Sequence, residues 1–258
     1  MTGGALRVLA LVAALTAPPG AFADDPASPA KPAPPPPDPA KVLELLKSKD
    51  RNQRLAAAKD AASLQDDGLV APLVGLLADP DPEVRRAGIA ALGARESADS
   101  ARKAANGMQA HLRKIGRKEG SEAESEVIAT ADALGALAQP SSVEVLLSDI
   151  VVETAPDVVR ARLMAVANVP AAEAIDGLIA FLGKRGRGAN DLHGHHCIQA
   201  LKWATGESRG VEVDVWRSWW KDAKKEFDFK AAAERRAKAR AAQAGKERDA
   251  TRKKDDSK

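Results

Sequence analysis

The stretch LVAPLVGLLADPDPEVRRAGIAALG, residues 69–93, decides the fold of this chain. Its first half carries an apolar stripe at helical spacing, made of Leu69, Leu73, Leu76 and Leu77. The turn Asp79-Pro80-Asp81-Pro82 ends this helix, because proline clashes with the preceding helical turn, and starts a second one with Asp81 as its N-cap. The second apolar stripe is made of Val84, Ala87, Ala91 and Leu92. The stretch therefore predicts an αα-hairpin whose apolar faces need neighbours on either side.

Residues 79–93, DPDPEVRRAGIAALG, resemble the turn and second helix of a HEAT repeat of the short kind common in bacterial proteins. This resemblance implies an all-α fold, a right-handed α-solenoid of stacked antiparallel helix pairs, and a scaffold function. In such repeats the arginine that matches Arg85 usually pairs with carboxylates of the turn. The candidates here are Asp79 and Asp81, or their equivalents in the next repeat. A solvated Arg85 on an exposed face is the alternative.

The register of Arg85 locates two further copies of the second helix. Residues 53–61 repeat the pattern upstream, with Arg54 at the arginine position. Residues 159–167 repeat it downstream, with Arg160 at that position. The distance along the chain from Arg85 to Arg160 leaves room for one more unit.

Degenerate copies complete the predicted array. Residues 127–134 supply the third unit, with Val127 at the arginine position and a polar turn over residues 116–126. Gly194 stands at the arginine position of the fifth unit. This fifth unit comprises residues 174–182, a loop at 183–191 and residues 195–204.

Residues 41–229 are thus predicted to form a solenoid of about five helix pairs, with about 38 residues in each, close to the roughly 40–47 residues typical of such repeats. An inner face made by the second helices is the expected binding surface. We expect Lys59, Arg86 and Arg162 to point outward from it.

Residues 1–23 have the pattern of a secretory signal peptide, with Arg7, the apolar run VLALVAALTA and small residues before the expected cleavage site after Ala23. They predict export to the periplasm or the extracellular space. The apolar run is shorter than the roughly 18–20 residues that span a bilayer, and retention as an anchor is the alternative. Residues 24–40 follow as a proline-rich linker, which favours an extended conformation.

The segment Asp191-Leu192-His193-Gly194-His195-His196-Cys197 contains three of the four histidines. On a helix, His193 shares a face with His196 or with Cys197 at metal-ligand spacing. His195 points elsewhere, and an HExxH motif is absent. The interpretation we favour is a polar helix start with no metal and no cofactor. A metal-dependent enzyme centred on His193, His195 and His196 is the alternative.

Cys197 is the single cysteine, so an intrachain disulfide cannot form in an oxidising compartment. We expect its thiol to behave as a small buried apolar group. Pairing with a second chain is the alternative.

A tryptophan-rich segment is predicted to cap the last repeat. Gly206 is the expected left-handed residue that closes the fifth unit, and Asp214 is the expected N-cap of a final helix. Residues 205–220, TGESRGVEVDVWRSWW, resemble a terminal segment that often follows such repeats in bacterial exported proteins. We expect an aromatic cap over Trp203, with a ligand-binding patch as the alternative. The cap face consists of Trp216, Trp219, Trp220, Ala223 and Phe227.

Residues 230–258 form a basic tail with 11 Lys or Arg and 5 Asp or Glu, whereas the whole chain has a net charge of +3. The basic character therefore belongs to the tail, and the residues before the tail have a net charge of −3. Its alanine, lysine, arginine and glutamate residues favour a helix, but it has no large apolar side chain to bury. We expect a solvated helix or a disordered segment.

The chain has neither a nucleophile elbow nor a GxGxxG motif. We therefore predict a non-enzymatic, exported scaffold that binds a protein partner. The alternative is an envelope tether whose residues 230–258 bind an anionic surface. Binding of nucleic acid is disfavoured, because no aromatic residues stand between the basic residues of the tail to stack on bases.

Overall fold

The computed structural model describes residues 37–116, 118, 120–185 and 191–255. The predicted signal peptide, residues 1–23, and the linker up to residue 36 lie outside the described residues. The described part belongs to one compact unit that starts at Pro37. It contains α-helices and two short 3₁₀ turns, with no strand among the described residues.

The helices are α1 (Pro39–Leu45), α2 (Arg51–Ala61), α3 (Val70–Leu76), α4 (Pro82–Gly93), α5 (Ala98–Ile115), α6 (Ser121–Leu137), α7 (Val143–Leu147), α8 (Pro156–Asn168), α9 (Ala172–Arg185), α10 (Leu192–Thr205), α11 (Val213–Ala223) and α12 (Phe229–Asp255). Five consecutive pairs, from α1/α2 to α9/α10, form the predicted repeats. Each second helix packs on the second helix of the next repeat, from α2 through α4, α6 and α8 to α10. The fold is therefore the predicted α-solenoid.

The hairpin of residues 69–93 folds as predicted. The Asp81 carboxylate accepts hydrogen bonds from the backbone amides of Glu83 at 2.9 Å and Val84 at 3.1 Å, which makes it the N-cap of α4. Gly88 lies so close to α3 that an added Cβ would stand 3.1 Å from the Cβ of Leu76. The four leucines of the first stripe are buried, as predicted: Leu69, Leu73, Leu76 and Leu77.

The predicted limits of the third and fourth repeats need correction. Helix α6 begins at Ser121, so most of the expected polar turn at 116–126 is helical. Three acidic residues in its first turns are compatible with a helix N-terminus, because the helix dipole favours negative charge there. Counted from the N-cap, Val159 rather than Arg160 occupies the position of Arg85 in α8.

The aromatic cap packs on the last repeat. Trp216 and Trp220 are buried, and the indole of Trp220 donates to the Asp176 carboxylate of α9 at 2.8 Å. Gly206 has a φ of 79°, which confirms the left-handed end of α10. The expectation for Asp214 is wrong, since Glu212 is the N-cap residue of α11 and Asp214 pairs with Arg217.

The expectation for Trp203 is also wrong. Its indole donates to Asn168 at 3.0 Å, and the guanidinium of Arg240 lies over its ring, 5.8 Å from the centroid. Trp203 thus contacts the tail helix instead of the cap cluster.

The start of the tail is part of the fold. Helix α11 packs on α9 and α12 packs on α10. Ala232 is 2% exposed, and the buried Arg236 donates to the carbonyl of Ala204 at the end of α10, at 3.0 Å. The expected boundary after residue 229 therefore lies too early, because small side chains and one arginine stem provide the buried surface. Among the described residues, no helix is long and apolar enough to cross a membrane.

Candidate functional site

A row of arginines joins successive repeats along the edge formed by the interhelical turns. Arg54 donates to the carbonyls of Ser48 and Lys49 in its own turn, at 3.1 and 3.0 Å. Its remaining N–H groups contact the Asp79 carboxylate of the next repeat at 2.6 and 3.0 Å. Both side chains are largely buried, with 14% of Arg54 and 5% of Asp79 exposed. This arginine therefore fixes one turn to the next.

Arg85 makes the same two kinds of contact one repeat later. It donates to the carbonyls of Asp79 and Pro80, at 3.0 and 3.2 Å, and to both carboxylate oxygens of Glu126, at 2.8 to 2.9 Å. Glu122 accepts a further bond at 2.8 Å. Arg85 is thus structural, as expected, but its carboxylate partners lie in the next repeat and not in its own turn. Sequence reasoning missed Glu126, because it lies inside α6 and not at a turn position.

The carboxylate of Glu126 also contacts His111, the one histidine outside the 193–196 cluster, with its Nε2 atom 2.7 Å away. Burial lowers the pKa of His111, and the hydrogen bond to Glu126 offsets only part of this effect. Burial alone would raise the pKa of Glu126, but hydrogen bonds from Arg85 and His111 bring it below its ordinary value. Glu126 thus has a permanent cation and a histidine as partners.

Arg85, His111 and Glu126 line a cleft of about 850 Å³ between the ends of α3 and α5 and the start of α6. Lys114 contributes a further cation, while Val74, Leu77 and Ile115 supply apolar walls. Because Glu126 accepts hydrogen bonds from both Arg85 and His111, the cluster links α4, α5 and α6 and stabilises the stack.

The arginine row changes in the fourth repeat. Arg160 is exposed and pairs with Asp157 of its own helix, at 3.2 Å. Arg162 is 1% exposed and donates to the carbonyls of Leu146 and Val145, each at 2.8 Å. Arg162 also donates to the carbonyl of Ser148. The expectation that Arg162 points outward is therefore wrong.

The burial of Arg162 has a register explanation. Arg162 lies three residues after the arginine position of its helix, as Gly88 and Cys197 do in theirs. An added Cβ on Gly88 would lie 3.5 Å from the carbonyl oxygen of Leu73, and the thiol of Cys197 donates to the carbonyl of Leu178 at 3.1 Å. This position faces the first helix of its own repeat, so a long cationic side chain there binds carbonyls at the end of α7.

The second helices place two rows of side chains on the side that is turned away from the first helices. Lys59 is exposed and Arg86 is half-buried, and neither has an ion-pair partner in the part of the chain that the structure describes. Asp132 and Arg160 follow in the third and fourth repeats. We call this surface the second-helix face and define it by Leu55, Lys59, Arg86, Ala90, Ile128, Asp132, Arg160, Met164, His195 and Gln199.

The histidine cluster lies at the start of α10. His193 is buried, with its Nε2 atom 3.1 Å from the carbonyl oxygen of Thr154, whereas His195 is exposed. Burial raises the pKa of Cys197 to about 12, which keeps its thiol protonated and unsuited to a metal. Within the described ranges, no group of three or more potential ligands is arranged to hold a metal ion. Part of the predicted loop beside this cluster, residues 186–190, lies outside the described residues.

The exposed part of α12 carries the positive charge of the tail. Lys230, Arg235 and Lys238 are exposed on the turns that Ala232 and Arg236 attach to α10. The fixed first part of this helix thus presents cations to solvent.

Comparison with known proteins finds a matching family and matching solved structures. The family described as "HEAT repeats" matches residues 39–117, which include α1 to α5. A crystal structure of an engineered protein of the Northeast Structural Genomics Consortium matches with 21% sequence identity and a TM-score of 0.43, over 76% of this chain and 93% of that chain. No curated protein matches the sequence.

Proposed function

Because residues 39–117 match the HEAT-repeat family and the remaining helix pairs stack in the same way, we propose that the chain is a non-enzymatic scaffold whose second-helix face binds a protein partner. Repeats of this family generally mediate protein–protein interactions. The observation that carries the proposal is the contrast between two sets of cations. Arg54 and Arg85 are saturated by carbonyls and carboxylates, whereas Lys59 and Arg86 have no ion pair among the described residues.

The surroundings of these cations suit a protein surface. Ala90 and Ile128 place small or branched apolar side chains between the charges of successive repeats. Asp132 reverses the sign of the charge in the third repeat. A partner with carboxylates opposite Lys59 and Arg86 and an apolar centre would complement this pattern.

Site-specific photo-crosslinking in the native cell tests the proposal. A photoreactive residue at Ala90, on the second-helix face, should give a covalent protein adduct. The same residue at Asn106, exposed on the first helix α5, should give none. Charge reversal by Lys59→Glu with Arg86→Glu should abolish the adduct, while Lys41→Glu with Arg113→Glu, an equal charge change on first helices, should leave it. Equal adducts from Ala90 and Asn106 would contradict the proposal.

We also propose that residues 1–23 direct export and are removed after Ala23. The support is the order of Arg7, the apolar run and the small residues before Ala23. Sequencing the N-terminus of the protein from its native envelope tests this proposal. A first residue of Asp24 is the expected result, and an intact Met1 would overturn it.

A tethering role for the basic tail is the second candidate function, favoured by the attachment of α12 to α10. Because Ala232 and Arg236 belong to the buried core, the segment suited to deletion is 241–258 and not the whole tail. Its removal should retain the adduct at Ala90 and abolish sedimentation with vesicles that contain anionic phospholipid. Replacing Lys246, Arg248 and Arg252 with Gln should act in the same way. Sedimentation that stays unchanged in both variants and also after replacement of Lys230, Arg235 and Lys238 with Gln would exclude the tether.

A further inference from the structure

A groove of about 660 Å³ lies between the first helices α7 and α9, on elements separate from the second-helix face. Its apolar walls include Val143, Leu147, Ile150 and Phe181. Gly177 brings α9 close to α7, since an added Cβ would stand 2.7 Å from Cδ1 of Leu147. The groove is therefore a packed feature of the fourth and fifth repeats and not a gap between loose segments.

The apolar surface continues from the groove into the loop that follows α7. Val151 is 55% exposed and Val152 is 73% exposed, directly after Ile150 of the groove wall. The two valines add exposed apolar surface beside the groove, which a partner could cover. Because the valines lie outside the groove, the apolar surface is larger than a small ligand would cover.

The loop that carries these valines is fixed from both sides. The buried Arg162 donates to the carbonyl of Ser148 before the valines, and the ring of His193 contacts the carbonyl of Thr154 after them. Val151 and Thr154 also exchange hydrogen bonds, at 3.0 and 3.2 Å. These bonds restrict the backbone that carries the valines, and a restricted backbone lowers the entropy cost of binding.

Asp149 has a left-handed backbone, with a φ of 55°. Aspartate adopts this region more readily than most residues that have a Cβ. The Arg162 guanidinium donates to the carbonyl of the preceding Ser148, which helps to hold the loop in this conformation.

The rim of the groove is acidic. Among the described residues, Glu144 and Glu173 are exposed on its two sides, and Asp149 and Lys184 also line it. An apolar floor with an excess of carboxylates complements a segment that has apolar side chains on one side and cations around them.

We propose that the α7–α9 groove, with Val151 and Val152, is a docking site for a basic amphipathic helix of a protein partner. Such a helix places apolar anchors at i, i+3, i+4 and i+7 in the groove and its lysines or arginines against Glu144 and Glu173. Helix α12 is not this occupant, because it has cations but no large apolar residue after Phe229. The site lies apart from the second-helix face and does not depend on a partner bound there.

A binding experiment on the full chain tests the site with a defined probe. The probe is a fluorescent peptide of about 18 residues, with leucines on one helical face and lysines on the other. We expect binding by the wild type, an affinity about tenfold lower or worse in Glu144→Lys with Glu173→Lys, and the same loss in Val151→Ser with Val152→Ser. A control with equal charge change on second helices, Asp60→Lys with Glu124→Lys, should stay within about twofold of wild type.

Four outcomes would overturn the proposal. The first is no binding of the peptide by the wild type, and the second is an equal loss of affinity in the Asp60 and Glu124 control. The third is equal binding of a scrambled peptide that has no apolar face. The fourth is a dimer, seen in sedimentation, that dissociates in the Val151 and Val152 variant. The last result would assign the groove to a second copy of the chain. Circular dichroism of each variant checks that its helix content is intact.

Discussion

Arg54 and Asp79 form a two-point ion pair across the boundary of the first two repeats, with N–O distances of 2.6 and 3.0 Å. The pair links the second helix of one repeat to the turn of the next. Because the guanidinium also binds carbonyls of its own turn, a single side chain fixes the relative position of two interhelical turns.

Asp79→Asn should lower the free energy of unfolding by about 2–4 kcal/mol, because it leaves the largely buried Arg54 without its counter-ion. Urea denaturation measures this loss. The matched control is Asp157→Asn, whose partner Arg160 is more than half exposed; it should change the stability by less than about 0.5 kcal/mol. Equal losses in the two variants would show that Arg54 and Asp79 do not act as a buried pair.

Arg162→Met should cost about 2–4 kcal/mol, since it leaves the buried carbonyls at the end of α7 without a donor. Arg160→Met, two positions away and exposed, should stay within about 0.5 kcal/mol of wild type. Arg162→Lys should not restore stability, because an ammonium cannot reach several carbonyls with the planar geometry of a guanidinium. Thermal and urea unfolding of the three variants check this order, and a stable Arg162→Met variant would contradict it.

Acidification should destabilise the protein through His111. Burial lowers the pKa of His111 in the folded state below its ordinary value of 6.5, so the unfolded chain binds the proton more tightly. Stability is therefore lost as the pH falls below about 6.5. His111→Gln should show a smaller loss of urea stability between about pH 7.5 and pH 5.5 than the wild type. Parallel pH profiles for the two proteins would exclude this role of His111.

Two glycine substitutions should have opposite effects on stability. Gly135→Ala should destabilise by about 1–3 kcal/mol, because the new Cβ would stand 2.9 Å from the Cα of Ala165 on the neighbouring helix α8. Gly75→Ala should stabilise by about 0.4–1 kcal/mol, since no atom lies within 4 Å and alanine favours a helix. Melting temperatures measure both changes. A gain of stability from Gly135→Ala would contradict the close packing of α6 on α8.

The position of a repeat could be predicted from the sequence wherever a capping side chain lies next to the start of its helix. Asp81 and Pro82 fix the start of α4 within a few residues of chain, which is why this boundary is confirmed. The start of α8 at Pro156 lacks a side-chain cap, and the expected register there was wrong by one residue at Arg160. Pro156 marks the start of α8, but without a capping side chain the register that follows depends on tertiary packing.

The candidate site residues divide in the same way. The exposure of Lys59 could be predicted, because it lies off the apolar stripe of its helix, whereas Arg86 is half-buried. The pairing of Arg85 with Glu126 could not, since the two residues are far apart in sequence and belong to successive repeats. Nor could the groove between α7 and α9, whose walls come from two helices that touch only in the folded chain.

The sequence by itself determined the architecture of this protein: amphipathic helix pairs at a regular interval must stack to bury their apolar stripes. Only the tertiary structure decided which charges are available to a partner. Arg160 and Arg162 are the same residue type two positions apart, yet the first reaches solvent and the second binds the carbonyls of α7. Side chains two positions apart on an α-helix are separated by a rotation of about 200°, and only packing determines which of the two faces the first helix.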